Sequence, residues 1–264
     1  MSAMPEVPPL TLRVDPPRPG AENMRRDAEL LAAVAAGATG VIRLYCFAPP
    51  CLSIGRLQDS ADVDTAACAR DGVEVVRRPT GGVAVLHDQE VTYAVVCPAG
   101  HPAFGGDVLT SCARIHAAVA RGLAALGVPV RAHGAAGDER AAARERAAVA
   151  DCFARPASHE LLSLDGRKLV GSAQARRGGA LLQHGSVLLD PPRAAGYLRR
   201  PPPGERRGTG VRELLGRRVS REELAAALAG GFRETLALDG FDAVTQPGRG
   251  PRAGGRPDTL SPSR

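Results

Sequence analysis

Two periodicities divide the chain. Residues 10–14 alternate with period two and predict a first strand. Met24, Ala28, Leu31 and Val34 recur at helical spacing, which predicts a helix over 22–36, ended by the glycines of 37–40. Strands follow at 41–47 and 51–54 around an Ala-Pro-Pro turn, then a short helix over 65–70 that stops at Asp71-Gly72. β-Branched runs predict strands at 73–76, 83–86 and 91–97. The clearest amphipathic helix spans 108–126 and closes at Gly127, with a strand at 128–132 after it. Residues 133–150 are polar and rich in Ala, Arg and Gly, which predicts a mobile loop with a helical piece over 139–149. Runs at 161–164, 168–173 and 180–189 predict a meander, turning at Asp165-Gly166 and again over 176–179. Helices are expected at 212–215 and 221–238. The expected organisation is a frayed Pro-rich start over 1–9, one folded domain over 10–243 and a disordered Pro/Gly/Arg tail over 244–264. No internal repeat is visible. Strands, helices and hairpins in this order predict an α/β (α+β) domain with a mixed β-sheet and flanking helices.

Composition narrows the function classes. With 44% hydrophobic and 23% charged residues in 264, the chain reads as an ordinary globular protein, not a collagen-like or disordered one. No apolar run approaches the ~20 residues of a membrane helix, and residues 1–10 lack the pattern of a signal peptide. Cys46, Cys51, Cys68, Cys97, Cys112 and Cys152 fall at irregular spacings, so neither a metal site nor a disulfide framework is expected. Thiols without an export signal predict a cytoplasmic protein. Lys and Arg total 34, yet Lys168 is the single lysine, and Asn23 is the single asparagine. This is the signature of a GC-biased genome in which Lys becomes Arg wherever arginine serves. Lys168 is therefore a candidate for a role that guanidinium does not serve, where a proton must be lost or the space is narrow, the alternative being chance survival of one lysine. The net charge of +6 favours an acidic partner, while 3% aromatics leave little to stack on bases and argue against nucleic acid.

Four groups of residues carry candidate chemistry. In Arg77-Arg78-Pro79-Thr80-Gly81-Gly82-Val83, a strand delivers two arginines into a Gly-Gly turn, and His87 lies on the strand that leaves it. Glycines there let backbone amides approach a ligand, and arginines fix carboxylates or phosphates; the same residues also make an ordinary hairpin with solvated arginines. In Asp165-Gly166-Arg167-Lys168-Leu169-Val170-Gly171-Ser172-Ala173-Gln174, the lone lysine precedes small residues that leave room beside it. Cys152 ends the polar loop in Asp151-Cys152-Phe153-Ala154-Arg155-Pro156, where a cationic neighbour would make its thiol a nucleophile. The other five cysteines fall in predicted strands and helices and read as packing. His184-Gly185 sits inside a strand, as a pocket residue or as a hydrogen-bonded core histidine.

Taken in order, 77–88, Cys152-Phe153, 165–174 and Leu182-Gln183-His184-Gly185 resemble the lipoate–protein ligase / biotin–protein ligase superfamily, over roughly 20–235. The resemblance implies a lipoate/biotin ligase-like catalytic domain with a tunnel for a medium-chain acyl group, which is passed to a lysine of a lipoyl domain. The Cys-Phe before a Pro is similar to the cysteine-dependent octanoyltransferases, with Ala157 standing where a Ser is expected after the Pro. That branch implies octanoyl transfer from acyl carrier protein through a Cys152 thioester. A neutral Lys168 would then take up the thiol proton and later the amine proton. It implies no required cofactor, and lipoyl-domain acceptors such as the glycine cleavage H protein or dehydrogenase E2 subunits. Arg77, Arg78, Thr80, Gly81, Gly82, Val83, His87, Gly171, Ser172, Ala173, Gln174, His184 and Gly185 would bind substrate. Two alternatives stay open: an ATP-dependent lipoate–protein ligase, needing ATP and Mg, and a non-catalytic lipoyl-domain-binding paralogue. A biotin ligase would be expected to carry a different arginine-rich loop and no such cysteine.

Overall fold

The computed structural model describes residues 10–134, 153, 160–191, 193–199, 208–238 and 243–247. The expected start over 1–9, the loop residues 135–150 and Cys152 lie outside the described residues. Chain order is β1 (Leu10–Val14), α1 (Gly20–Ala35), β2 (Val41–Tyr45), β3 (Cys51–Ile54), α2 (Thr65–Arg70), β4 (Glu74–Arg77), β5 (Val85–His87) and β6 (Glu90–Pro98). Then come α3 (Val108–Ala125), β7 (Val130–Ala132), β8 (Leu161–Ser163), β9 (Lys168–Arg177), β10 (Ala180–Leu188), α4 (Val211–Leu215), α5 (Arg221–Leu238) and β11 (Ala243–Pro247).

Eight strands form a mixed sheet in the order β11-β1-β2-β6-β10-β9-β8-β7, and three form a second sheet in the order β4-β3-β5. The large sheet is parallel at β11/β1/β2 and antiparallel from β2 to β7. Its central strands are apolar on both faces because both are covered. Leu181, Val95, Tyr93 and Val187 pack with Ile115, Val119, Leu228 and Phe232 of α3 and α5. Ala180, Leu182, Ala94 and Val96 pack with Met24, Leu31 and Val34 of α1. The small sheet closes over the α1 side, and its Glu74 carboxylate accepts from the Gly20 amide at 2.5 Å and the Ala21 amide at 3.3 Å. That anion at the first turn anchors α1 through its unpaired N–H groups. No helix among the described residues is long and apolar enough to cross a membrane.

Three sequence expectations change. The segments around Gly81-Gly82 do not form a hairpin. β3 lies between β4 and β5, parallel to the first and antiparallel to the second, so the Gly-Gly loop arches over the end of β3. β9 runs on to Arg177, well past Ala173, and turns at Gly178-Gly179, both with positive φ. Ala243–Pro247 forms a strand where a tail was expected from 244: β11 pairs with β1 in parallel and satisfies the backbone groups of what would be an open edge.

α3 crosses α5 at two glycines. A Cβ on Gly231 would lie 2.3 Å from the Ala118 carbonyl oxygen, and one on Gly122 2.6 Å from that of Ala227. The neighbouring Gly230 is exposed and meets nothing within 4 Å. Alanine should therefore act oppositely at adjacent positions in urea titrations. Gly230→Ala should stabilise by about 0.5–1 kcal/mol through helix propensity, and Gly231→Ala should destabilise by about 1–3 kcal/mol through overpacking.

Candidate active site

Helix α1 carries an acidic residue in its apolar stripe. Asp27 falls between Met24 and Leu31 and is fully buried. It is satisfied by three side chains from two strands: Arg43 on β2 pairs with Oδ1, the Tyr45 hydroxyl on the same strand donates to Oδ2 at 2.8 Å, and His184 Nδ1 on β10 lies 3.0 Å from Oδ2. Arg43, also fully buried, donates to Asp15 at 2.8 Å and to Asn23 Oδ1 at 3.2 Å, and stacks 4.2 Å from the Tyr45 ring centroid. Burial works against the Asp27 carboxylate, but the His184 hydrogen bond, the Arg43 charge and the Tyr45 hydroxyl hold it below the usual carboxylate range. Burial lowers His184, which favours neutral imidazole. Its Nε2 lies 2.6 Å from the Thr80 hydroxyl.

A second imidazole is set in the same manner. His87 Nδ1 lies 2.8 Å from Glu90 Oε1 and its Nε2 2.8 Å from Ser53 Oγ, with the ring stacked 4.1 Å from Phe47. Thr92 donates to the same carboxylate at 2.5 Å. Burial opposes the Glu90 charge, but His87 and the hydrogen bonds from Ser186 and Thr92 bring it below its ordinary value.

Between these two clusters lies a cleft of about 420 Å³, lined by Met24, Tyr45, Ser53, Arg78, Gly82, Val85, His87, Thr92, Gly171, Ser172, Ala173, His184, Gly185 and Ser186. Eight of the sequence-predicted residues are thus brought together: Arg78, Gly82, His87, Gly171, Ser172, Ala173, His184 and Gly185. Gly185 is required by the sheet itself, because a Cβ there would meet Tyr93 Oη at 2.6 Å and the Gly171 carbonyl at 2.7 Å. Thr80 reaches the cluster through His184. Gly81 and Val83 enter by their carbonyls, which accept from Arg78 Nη2 at 2.6 and 2.8 Å.

Two predicted residues point elsewhere. The Arg77 guanidinium ties down the carbonyls of Gly55, Arg56 and Gln58 at 2.7, 3.1 and 2.8 Å. Gln174 pairs across the ladder with Gln183, one residue out of phase with the His184 and Ala173 pair, so it faces α3 and donates to Ser111 Oγ at 2.9 Å.

Lys168 opens β9, three residues and about 10 Å along the strand from Gly171. It is 2% exposed, and its Nζ lies 2.8 Å from Glu160 and 5.2 Å from the centroid of the Phe153 ring. Glu160 escaped the sequence reading. The buried Glu160 carboxylate thus sits within ion-pair distance of the Lys168 amine. Cys152, bonded to Phe153, lies outside the described residues. Of the other cysteines, burial pushes Cys46 and Cys97 up to about 12 and raises Cys51 and Cys68 as well, which makes these four poor nucleophiles.

Residues 19–233 match the Lipoyl protein ligase A/B catalytic domain, and the chain belongs to that family. It is similar to the Octanoyltransferase LipM of Kyrpidia tusciae, 42% identical over 230 residues that cover 81% of this chain and 82% of the relative. The Octanoyltransferase LipM of Moorella thermoacetica is 37% identical, covering 82% of each. Among solved structures, a lipoate-protein ligase A bound with ATP superposes with a TM-score of 0.70 at 25% identity, covering 91% of this chain and 88% of the other.

The paired carboxylates and imidazole make stability acid-sensitive with a definite sign. His184 lies below its ordinary 6.5 in the fold, so the unfolded chain binds more protons once pH drops under that value. Its contribution is complete above pH 6.5 and is lost progressively below it. Glu90 and Asp27 lie below their ordinary 4.5 and 3.8, and their contributions begin to be lost only under those values. Urea midpoints should fall from about pH 6.5 downward, and His184→Gln should flatten the upper part of that slope.

Proposed function

We infer that the protein is an octanoyltransferase of protein lipoylation, an acyltransferase that moves an octanoyl group from acyl carrier protein to the lysine of a lipoyl domain. The observation that carries the reading is the single lysine, buried and ion-paired with Glu160 beside Phe153, the residue bonded to Cys152.

In this reading the Lys168 ammonium favours the Cys152 thiolate, which attacks the thioester carbonyl. The carrier sulfur leaves and takes up the proton that the Cys152 thiol gave up, and the octanoyl group stays on the Cys152 sulfur. Exchange of one thioester for another is near thermoneutral, so no ATP enters. The lipoyl-domain amine then attacks the acyl-Cys152 carbonyl, the amide forms, and the proton released by nitrogen returns to the Cys152 sulfur. The cleft beside Gly171 takes the alkyl tail while the carbonyl stays at the Lys168 end of β9. Lysine serves where arginine would not, because the compact ammonium fits between Glu160 and Phe153. The net charge of +6 suits acidic carrier and lipoyl domains.

Transfer of octanoate from octanoyl–acyl carrier protein to a lipoyl domain, followed without ATP, tests this. Cys152→Ala should lower the rate by about 10³-fold or more, and Lys168→Arg by about 10²-fold, since it keeps charge but not shape. Full transfer by Cys152→Ala, or transfer that appears only with free acid and ATP, would move the chain to the ligase reading.

A further inference from the structure

Two buried side-chain series of the same chemical order end on one loop. The first runs from Asp27 on α1 through His184 on β10 to the Thr80 hydroxyl, with steps of 3.0 and 2.6 Å. The second runs from Glu90 on β6 through His87 on β5 to Ser53 on β3, with steps of 2.8 and 2.8 Å. Ser53 then holds Arg78, whose Nη1 donates to the Ser53 carbonyl at 3.0 Å and to its Oγ at 3.3 Å. Arg78 in turn gathers the carbonyls of Gly81 and Val83. Residues 78–83 are therefore gripped from both sheets.

An ionised carboxylate only accepts, so each Nδ1 donates to its carboxylate. Burial favours the neutral His184 imidazole, so its Nε2 is a lone pair to which the Thr80 hydroxyl donates. Asp27 thus dictates, through His184, how the Thr80 hydroxyl is oriented, and Glu90 holds His87 against Ser53. The geometry also demands a close approach, because a Cβ on Gly55 would lie 1.9 Å from the Gly82 carbonyl oxygen.

Resting on the acyl-transfer reading, we propose that Asp27 and Glu90 are positioning residues, which act through His184 and His87 to hold loop 78–83 as a preformed wall for the acyl tail. Neither carboxylate needs to touch the reacting carbonyl. A wall held in place by the protein's own side chains spares the tail the cost of ordering it on binding.

Equilibrium dialysis of labelled octanoate against the full chain reads the wall without any transfer. Thr80→Val keeps the volume and removes the donor, and should weaken octanoate about tenfold, whereas Thr80→Ser should stay within about twofold of the parent. Asp27→Asn added to Thr80→Val should weaken binding little further, because both act in one series. Ser53→Ala added to Thr80→Val should multiply the loss, because the series are separate. In the transfer assay the losses should fall on KM for the octanoyl donor and not on kcat. Parent-like binding by Thr80→Val, an equal loss in Thr80→Ser, or a fall in kcat at unchanged octanoate affinity overturns the proposal. Should Asp27→Asn fail to fold, the Thr80 and Ser53 variants, which remove no charge, decide alone. If the parent chain transfers without need of Cys152, the acyl-transfer reading falls while the octanoate result still stands or fails by itself.

Discussion

The buried pair of Asp27 and Arg43 is the constraint on which the rest depends. Taking two charges out of water costs several kcal/mol per ion, and only good geometry with further hydrogen bonds offsets it. Here the bonds come from Asp15, Asn23, Tyr45 and His184, so the charges are satisfied only when β1, α1, β2 and β10 all stand in one arrangement. An apolar pair of similar volume would hold α1 on the sheet as well, but it would leave His184 free to rotate. What the ion pair contributes is direction. Losing one partner would strand the other charge, at a cost of about 3–5 kcal/mol.

From that anchor the site follows by geometry. α1 and the small sheet cover one face of the large sheet; backbones approach closely where glycines allow it, at Gly55 against Gly82 beside the small sheet and at Gly185 against Gly171 within the large one, and the two sheets meet through the Thr80–His184 contact. The space left between them is the cleft. Its walls include polar side chains, but His184, His87, Ser53 and the Tyr45 hydroxyl are already paired with one another or with buried carboxylates. Such walls suit an alkyl tail without a charge of its own. A second buried ion pair, Lys168 with Glu160, stands at the start of β9, about 10 Å along the strand from the Gly171 region.

Much of this was legible in the sequence, and the remainder was hidden for physical reasons. Periodicity is local, so α1, α3, β6, β8 and β10 were read close to their true bounds, while β9 was read four residues short. Strand order is not local: nothing in residues 74–87 says that β3 inserts between β4 and β5, and the Gly-Gly segment read as a hairpin. Codon bias singled out Lys168, yet Glu160 looked like any loop acid before a strand. Asp27 left a trace, an acid at a core position between Met24 and Leu31, but on a helix surrounded by Arg25, Arg26 and Glu29 it reads as a solvated charge. Gln174 was placed in the site by proximity in sequence, and the alternation of β9 turned it away.

On the octanoyl-transfer reading, the acyl group passes through a thioester on Cys152. Intact-protein mass spectrometry of the full chain mixed with octanoyl–acyl carrier protein, without ATP, tests it most directly. The account requires an adduct of one octanoyl group that maps to Cys152 and is released by hydroxylamine. An unmodified chain under those conditions, with an acyl product formed only from free acid and ATP, would contradict it.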